Sequence, residues 1–132
     1  MKEMEIVFNG GKHVEAVIDG KKIGTDQAVD EGGLGVEPTP YQLFLAALGT
    51  CAGVYVLKFC EARDIPTEGL KIIQRIDRDD KTKRLNSVDT EVILPDGFPE
   101  KYEKAVLRAA ELCAVKKAIL DPPEFSIKAS RK

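Results

Sequence analysis

The chain has 132 residues, 43% of them hydrophobic, which is enough for one real core and too little for two, so residues 1–132 are expected to form a single domain. Its 20 basic and 22 acidic residues leave a formal net charge of -2, no field that would gather nucleic acid or acidic lipid. Three cysteines, an odd number without a CxxC pair, argue against a disulfide framework or a zinc ribbon and leave core thiols or redox chemistry. The N-terminus lacks the charged, apolar, then small-residue order of a signal peptide, so a reducing, cytoplasmic setting is expected.

In chain order, Glu5 to Asn9 and His13 to Ile18 read as two short strands around Gly10 and Gly11, with Val14, Ala16 and Ile18 on one face. Asp19-Gly20 supplies the positive-φ turn of a tight hairpin and Lys21 to Thr25 its return strand, which makes a three-stranded meander. Asp26 to Glu37, with Gly32, Gly33 and Gly35, reads as a surface loop. Neither GxxxxGKS/T nor GxGxxG spacing occurs there, so no phosphate cradle and no cofactor are expected.

From Pro38 to Ala62 runs the longest apolar stretch, read as a buried central helix. Thr39 is its N-cap, Pro40 takes the first helical position, and Gln42 closes a capping box. Pro66 stops it by pushing Ile65 out of the helical region. Leu43 to Leu57 include no charge and are apolar on every side, which predicts cover from several directions. A membrane span, needing roughly 20 apolar residues, is disfavoured because Lys58 interrupts the run and Gly49, Thr50 and Gly53 dilute it. One chain of this length has too little sheet to cover such a helix, so an obligate homodimer is expected.

Beyond the helix, Leu70 to Ile76 and Val88 to Leu94 alternate as a second antiparallel pair around the charged loop Asp77 to Arg84. After Pro99 the period lengthens, with Tyr102, Val106, Ala109 and Cys113 at helical steps, and Pro122 and Pro123 end that segment. Glu124 to Ala129 is read as a last strand. Three strands, a helix, two strands, a helix and a strand predict an α+β fold, with an antiparallel sheet packed on the long helix.

Few residues could carry chemistry. His13 is the sole histidine, on a predicted strand with no GxSxG beside it, and reads as a surface or strand residue. No carboxylate falls in an apolar stretch where its pKa would rise. Cys60 follows Cys51 by nine residues, which at 3.6 residues per turn puts them on opposite sides of the helix. Whether Cys113 meets either depends on packing that spacing does not reveal. By composition each thiol reads first as a small buried hydrophobe, because apolar burial keeps a thiol protonated.

PTPYQLFLAALGTCAG, followed by AAELCAVKKAIL, resembles the two cysteine motifs of the OsmC/Ohr family of small thiol-dependent hydroperoxide reductases. The order of strands and helices along almost the whole chain is similar as well. The resemblance implies an intertwined homodimer whose sheets wrap paired central helices, with a site at the subunit interface. It also implies organic hydroperoxide reduction with Cys51 as peroxidatic and Cys113 as resolving cysteine, an external dithiol restoring the pair, and neither metal nor cofactor. Cys60 matches neither motif. Three positions differ from the family pattern. Ala114 stands where a proline usually follows the second cysteine, and Tyr41 and Gln42 stand where a glutamate is typical. No arginine precedes Arg63, leaving Lys12, Lys21 or Lys22 as the cations available upstream. Besides the peroxidase, two readings stay open: a thiol enzyme acting on another sulfur species or electrophile, and a non-catalytic dimer binding a small apolar ligand.

Overall fold

The structure is a computed structural model that describes residues 2–131. Its chain forms two compact units, Met1–Ala46 and Ala47–Lys132. In the first, β1 (Glu5–Phe8), β2 (Val14–Ile18) and β3 (Lys21–Thr25) make the predicted antiparallel meander in the order β1-β2-β3. Asp19 and Gly20 both take positive φ, 48° and 74°, as a two-residue turn matched to strand twist requires. The glycine-rich segment after β3 is organised by Asp26, which is 3% exposed. Its carboxylate accepts N–H bonds from Gln27 (2.8 Å), Leu34 (3.1 Å) and Val36 (3.3 Å). That bonding, led by Gln27, holds the carboxyl below its ordinary pKa.

The long helix α1 spans Pro40–Glu61. Its capping box forms as predicted: Gln42 N–H donates to Thr39 Oγ1 at 3.1 Å, and Thr39 N–H donates to Gln42 Oε1 at 2.9 Å. By length and composition it is the one helix among the described residues that would suit a membrane span.

The second unit holds the rest of α1 with β4 (Lys71–Arg78), β5 (Leu85–Ile93), α2 (Glu103–Ala110) and α3 (Ala114–Leu120). β4 and β5 pair antiparallel, setting Ile72 opposite Val92 and Gln74 opposite Thr90. Small residues bring α1 close to β4. A Cβ at Gly49 would lie 2.8 Å from Gln74 Nε2, and one at Gly53 would touch Ile72 Cδ1 at 3.8 Å. Val56, Phe59 and Cys60 of α1 close on Ile65 and on Val106 of α2 to form the core. The Arg63 guanidinium stacks 3.7 Å from the Phe59 ring and donates to the Phe59 carbonyl at 3.1 Å, while Tyr102 meets that ring edge-on at 5.8 Å.

Two expectations are corrected. The predicted helix after Pro99 forms as two, because Cys113 has extended backbone angles (φ −47°, ψ 119°) that end one helical run and cap the next. The predicted strand Glu124 to Ala129 does not form. A strand needs a neighbouring edge for its N–H and C=O groups, and none among the described residues pairs with it, leaving Phe125 and Ile127 exposed. Within one chain α1 keeps the apolar exposure that the sequence leads one to expect: Val54 is 48% and Leu57 39% exposed, since the helix is apolar on more faces than β4, β5 and α2 can occupy.

Two stability measurements check this packing. Thr39→Ala should destabilise the chain by about 1 kcal/mol in chemical denaturation through loss of the cap. Phe59→Ala should cost on the order of 3 kcal/mol, since it empties a core site and removes the stacking surface of Arg63. Equal midpoints for wild type and either variant would contradict the helix start or the core as described.

Candidate active site

The half turn that separates Cys51 from Cys60 along α1 gives the two thiols opposite environments. Cys60 is fully buried among Val56, Phe59 and Val106. Burial pushes its pKa up, with Arg63 opposing only in part, so it stays a protonated core residue. Cys51 is half-buried.

The break between α2 and α3 brings the third cysteine to the first. Cys113, 2% exposed, sits at the N-cap of α3, where its sulfur accepts the Lys116 N–H at 3.4 Å. Its thiol points at the carbonyl of Leu48 on α1, 3.8 Å away and one turn before Cys51. Residues 113–115 are the neighbours that act on the Cys51 thiol: the N–H of Val115 first, then the thiol of Cys113 and the N–H of Ala114. Led by Val115, these three donors outweigh burial and draw the Cys51 pKa below the ordinary thiol value. The structure thus brings Cys51 and Cys113 together as free thiols and leaves Cys60 apart. The groups that lower the pKa all lie in residues 113–115 and include none of the lysines considered from the sequence.

Beside Cys113 opens a cavity of about 520 Å³. Val88, Val92, Leu107 and Ile119 give it apolar walls, and Gln74, Glu111 and Lys116 add polar groups. Cys51 does not line it. His13 lies in the first unit, next to β2, with its Nδ1 3.2 Å from Asn9 Nδ2. Sequence reasoning weighed side-chain cations and missed the peptide amides of Ala114 and Val115. The available signal was a non-proline residue after Cys113, which keeps an N–H that proline lacks.

A family model described as OsmC-like protein matches residues 31–128. Among solved structures, a protein from Psychrobacter arcticus 273-4 superposes with a TM-score of 0.77 at 20% identity, covering 89% of this chain and 88% of its own. An OsmC-like protein from Mycoplasma pneumoniae gives 0.72 at 15% identity, over 92% and 89% of the two chains. The organic hydroperoxide resistance protein OsmC from Legionella pneumophila gives 0.58 at 21% identity, over 90% and 88%. Comparison with curated protein sequences finds no match.

The ionisation of Cys51 can be read directly. Iodoacetamide labelling followed by mass spectrometry should find Cys51 modified with a pH midpoint below about 8.5, while Cys60 stays unmodified in the native protein. Because the folded pKa is depressed, the matching stability is complete above the unfolded-state pKa and fades as pH falls through the folded one. Faster labelling of Cys60 than of Cys51 would contradict these environments.

Proposed function

The chain belongs to the OsmC-like protein family, and on that footing we propose that it is a thiol-dependent peroxidase reducing organic hydroperoxides through Cys51 and Cys113. The observation that carries this reading is the placement of Cys113, its sulfur 3.8 Å from the Leu48 carbonyl one turn before Cys51, beside a thiol whose pKa is lowered. A thiolate is the nucleophile such chemistry needs, and a second thiol in contact is what a sulfenic acid needs to be resolved.

In this scheme the Cys51 thiolate attacks the terminal oxygen of the hydroperoxide. The O–O bond breaks, Cys51 becomes a sulfenic acid, and the alkoxide leaves as an alcohol after taking a proton from solvent. The Cys113 sulfur, giving up its proton, then attacks the Cys51 sulfur. An S–S bond forms, the S–O bond breaks, and hydroxide departs as water once protonated. An external dithiol in the cytoplasm returns the pair to thiols by exchange. The apolar cavity beside Cys113 suits the organic part of such a substrate.

The acting species in this reading is a homodimer, supported by the apolar side chains that α1 leaves exposed, Val54 and Leu57 among them. The same cavity also favours a second reading, a non-catalytic dimer that binds a small apolar ligand while the thiols pack.

Mass spectrometry after one equivalent of an alkyl hydroperoxide should find a Cys51–Cys113 disulfide in wild type and a trapped sulfenic acid on Cys51 in Cys113→Ser. Thiols that stay reduced, or Cys60 oxidising first, would overturn the peroxidase and leave the ligand-binding reading. Light scattering should give a dimer at micromolar concentration, and a stable folded monomer would overturn the assembly.

A further inference from the structure

We propose that Gln74, paired across the sheet with Thr90, is a specificity-determining residue of the cavity beside Cys113, and that it selects ligands with an uncharged, oxygen-bearing head on an apolar body. This rests on the peroxidase reading in taking that cavity as the place where the substrate lies. The row of side chains on the sheet points to it. Three cross-strand pairs share the face of β4 and β5 that meets α1: Ile72 with Val92, Gln74 with Thr90, and Ile76 with Val88. The outer pairs are apolar, as a face packed on a helix requires, while the middle pair is polar on both strands. A polar pair amid an apolar face is costly to bury without partners. Here both of its members line the cavity.

Gly49 makes room for that pair. Glycine inside a helix is destabilising relative to alanine, so its place in the interior of α1 has to be justified by close approach. A Cβ at Gly49 would stand 2.8 Å from Gln74 Nε2, 3.0 Å from its Cδ and 3.4 Å from its Oε1. The bare turn of α1 thus receives the carboxamide itself, one residue from Leu48, whose carbonyl the Cys113 thiol faces at 3.8 Å. With two N–H donors and an acceptor oxygen, a carboxamide can keep its place in the fold and still meet a ligand. A hydroxyl or hydroperoxide head, which both donates and accepts, matches it, and Thr90 adds a hydroxyl beside it. The charged groups of the wall, Glu111 and Lys116, are exposed. A charged head laid against Gln74 and Thr90 therefore meets no opposite charge on them and loses its water without compensation. Val88, Val92, Leu107 and Ile119 receive the apolar body.

Benzyl alcohol, ethylbenzene and benzoate, similar in size and none of them an oxidant, separate the head from the body. In NMR titrations of the wild-type chain, benzyl alcohol should shift the Gln74 side-chain N–H resonances and bind at least about tenfold more tightly than benzoate. Gln74→Leu should move the ratio of benzyl alcohol to ethylbenzene affinity roughly tenfold towards ethylbenzene. Gly49→Ala keeps Gln74 but places a methyl where its carboxamide rests. The clash falls on the end of a flexible side chain, so the carboxamide moves, the helix gains a better helix former, and the ratio should shift the same way with no loss of thermal stability. Still Gln74 resonances, benzoate bound as tightly as benzyl alcohol, or a wild-type ratio in either folded variant overturns the proposal. With cumene hydroperoxide, Gln74→Leu should raise KM roughly tenfold and leave kcat within about twofold, the mark of lost binding and not of lost chemistry. Cumene hydroperoxide consumed with wild-type KM by both variants overturns the role of Gln74 alone. A wild type that shows the head-group preference yet leaves cumene hydroperoxide unconsumed overturns the peroxidase reading alone.

Discussion

The second unit depends on one act of burial, the closing of Val56, Phe59 and Cys60 on Val106. Once that side of α1 is committed to the core, the half turn between Cys60 and Cys51 decides the chemistry of both. Cys60 meets hydrocarbon and one nearby cation, and desolvation wins, so its pKa rises. Cys51 is under the influence of residues 113–115, led by the N–H of Val115, which lowers its pKa against its partial burial. Two residues of the same type on the same helix are thus driven in opposite directions by what they face.

Getting donors to Cys51 requires a break in regular structure. A continuous helix from Pro99 onward would have consumed the amides of residues 114 and 115 in its own i to i−4 bonds. The angles at Cys113 interrupt it and start a new helix, whose Lys116 N–H goes to the Cys113 sulfur. Cysteine is an unusual cap, its sulfur a weaker acceptor than a serine or aspartate oxygen. Here the Cys113 thiol ties two helices together, accepting from Lys116 while donating towards Leu48.

The described residues of a single chain leave two demands unmet. α1 shows apolar side chains to solvent, and residues 124–129 run without a ladder partner although Phe125 and Ile127 alternate with polar neighbours as a strand's would. Burying apolar surface and pairing backbone groups are the gains that association offers, and both support the homodimer proposed above.

Local chemistry alone determined a good part of this protein. The Thr39 and Gln42 capping box, the Asp19-Gly20 turn, the alternation in the first three strands and the opposite placement of Cys51 and Cys60 each rest on residues close in sequence, so their physics could be read without coordinates. The two cysteine motifs pointed to the family that the comparison then showed. The expected last strand had the right alternation but needed an edge that sequence does not supply. Tertiary structure likewise decided that Cys113 meets Cys51 and not Cys60, and that amides rather than lysines lower the Cys51 pKa. Those outcomes turn on where a helix breaks and which way its unpaired N–H groups then face. That geometry joins residues some sixty positions apart, and it arises only when the core brings α2 and α3 against α1.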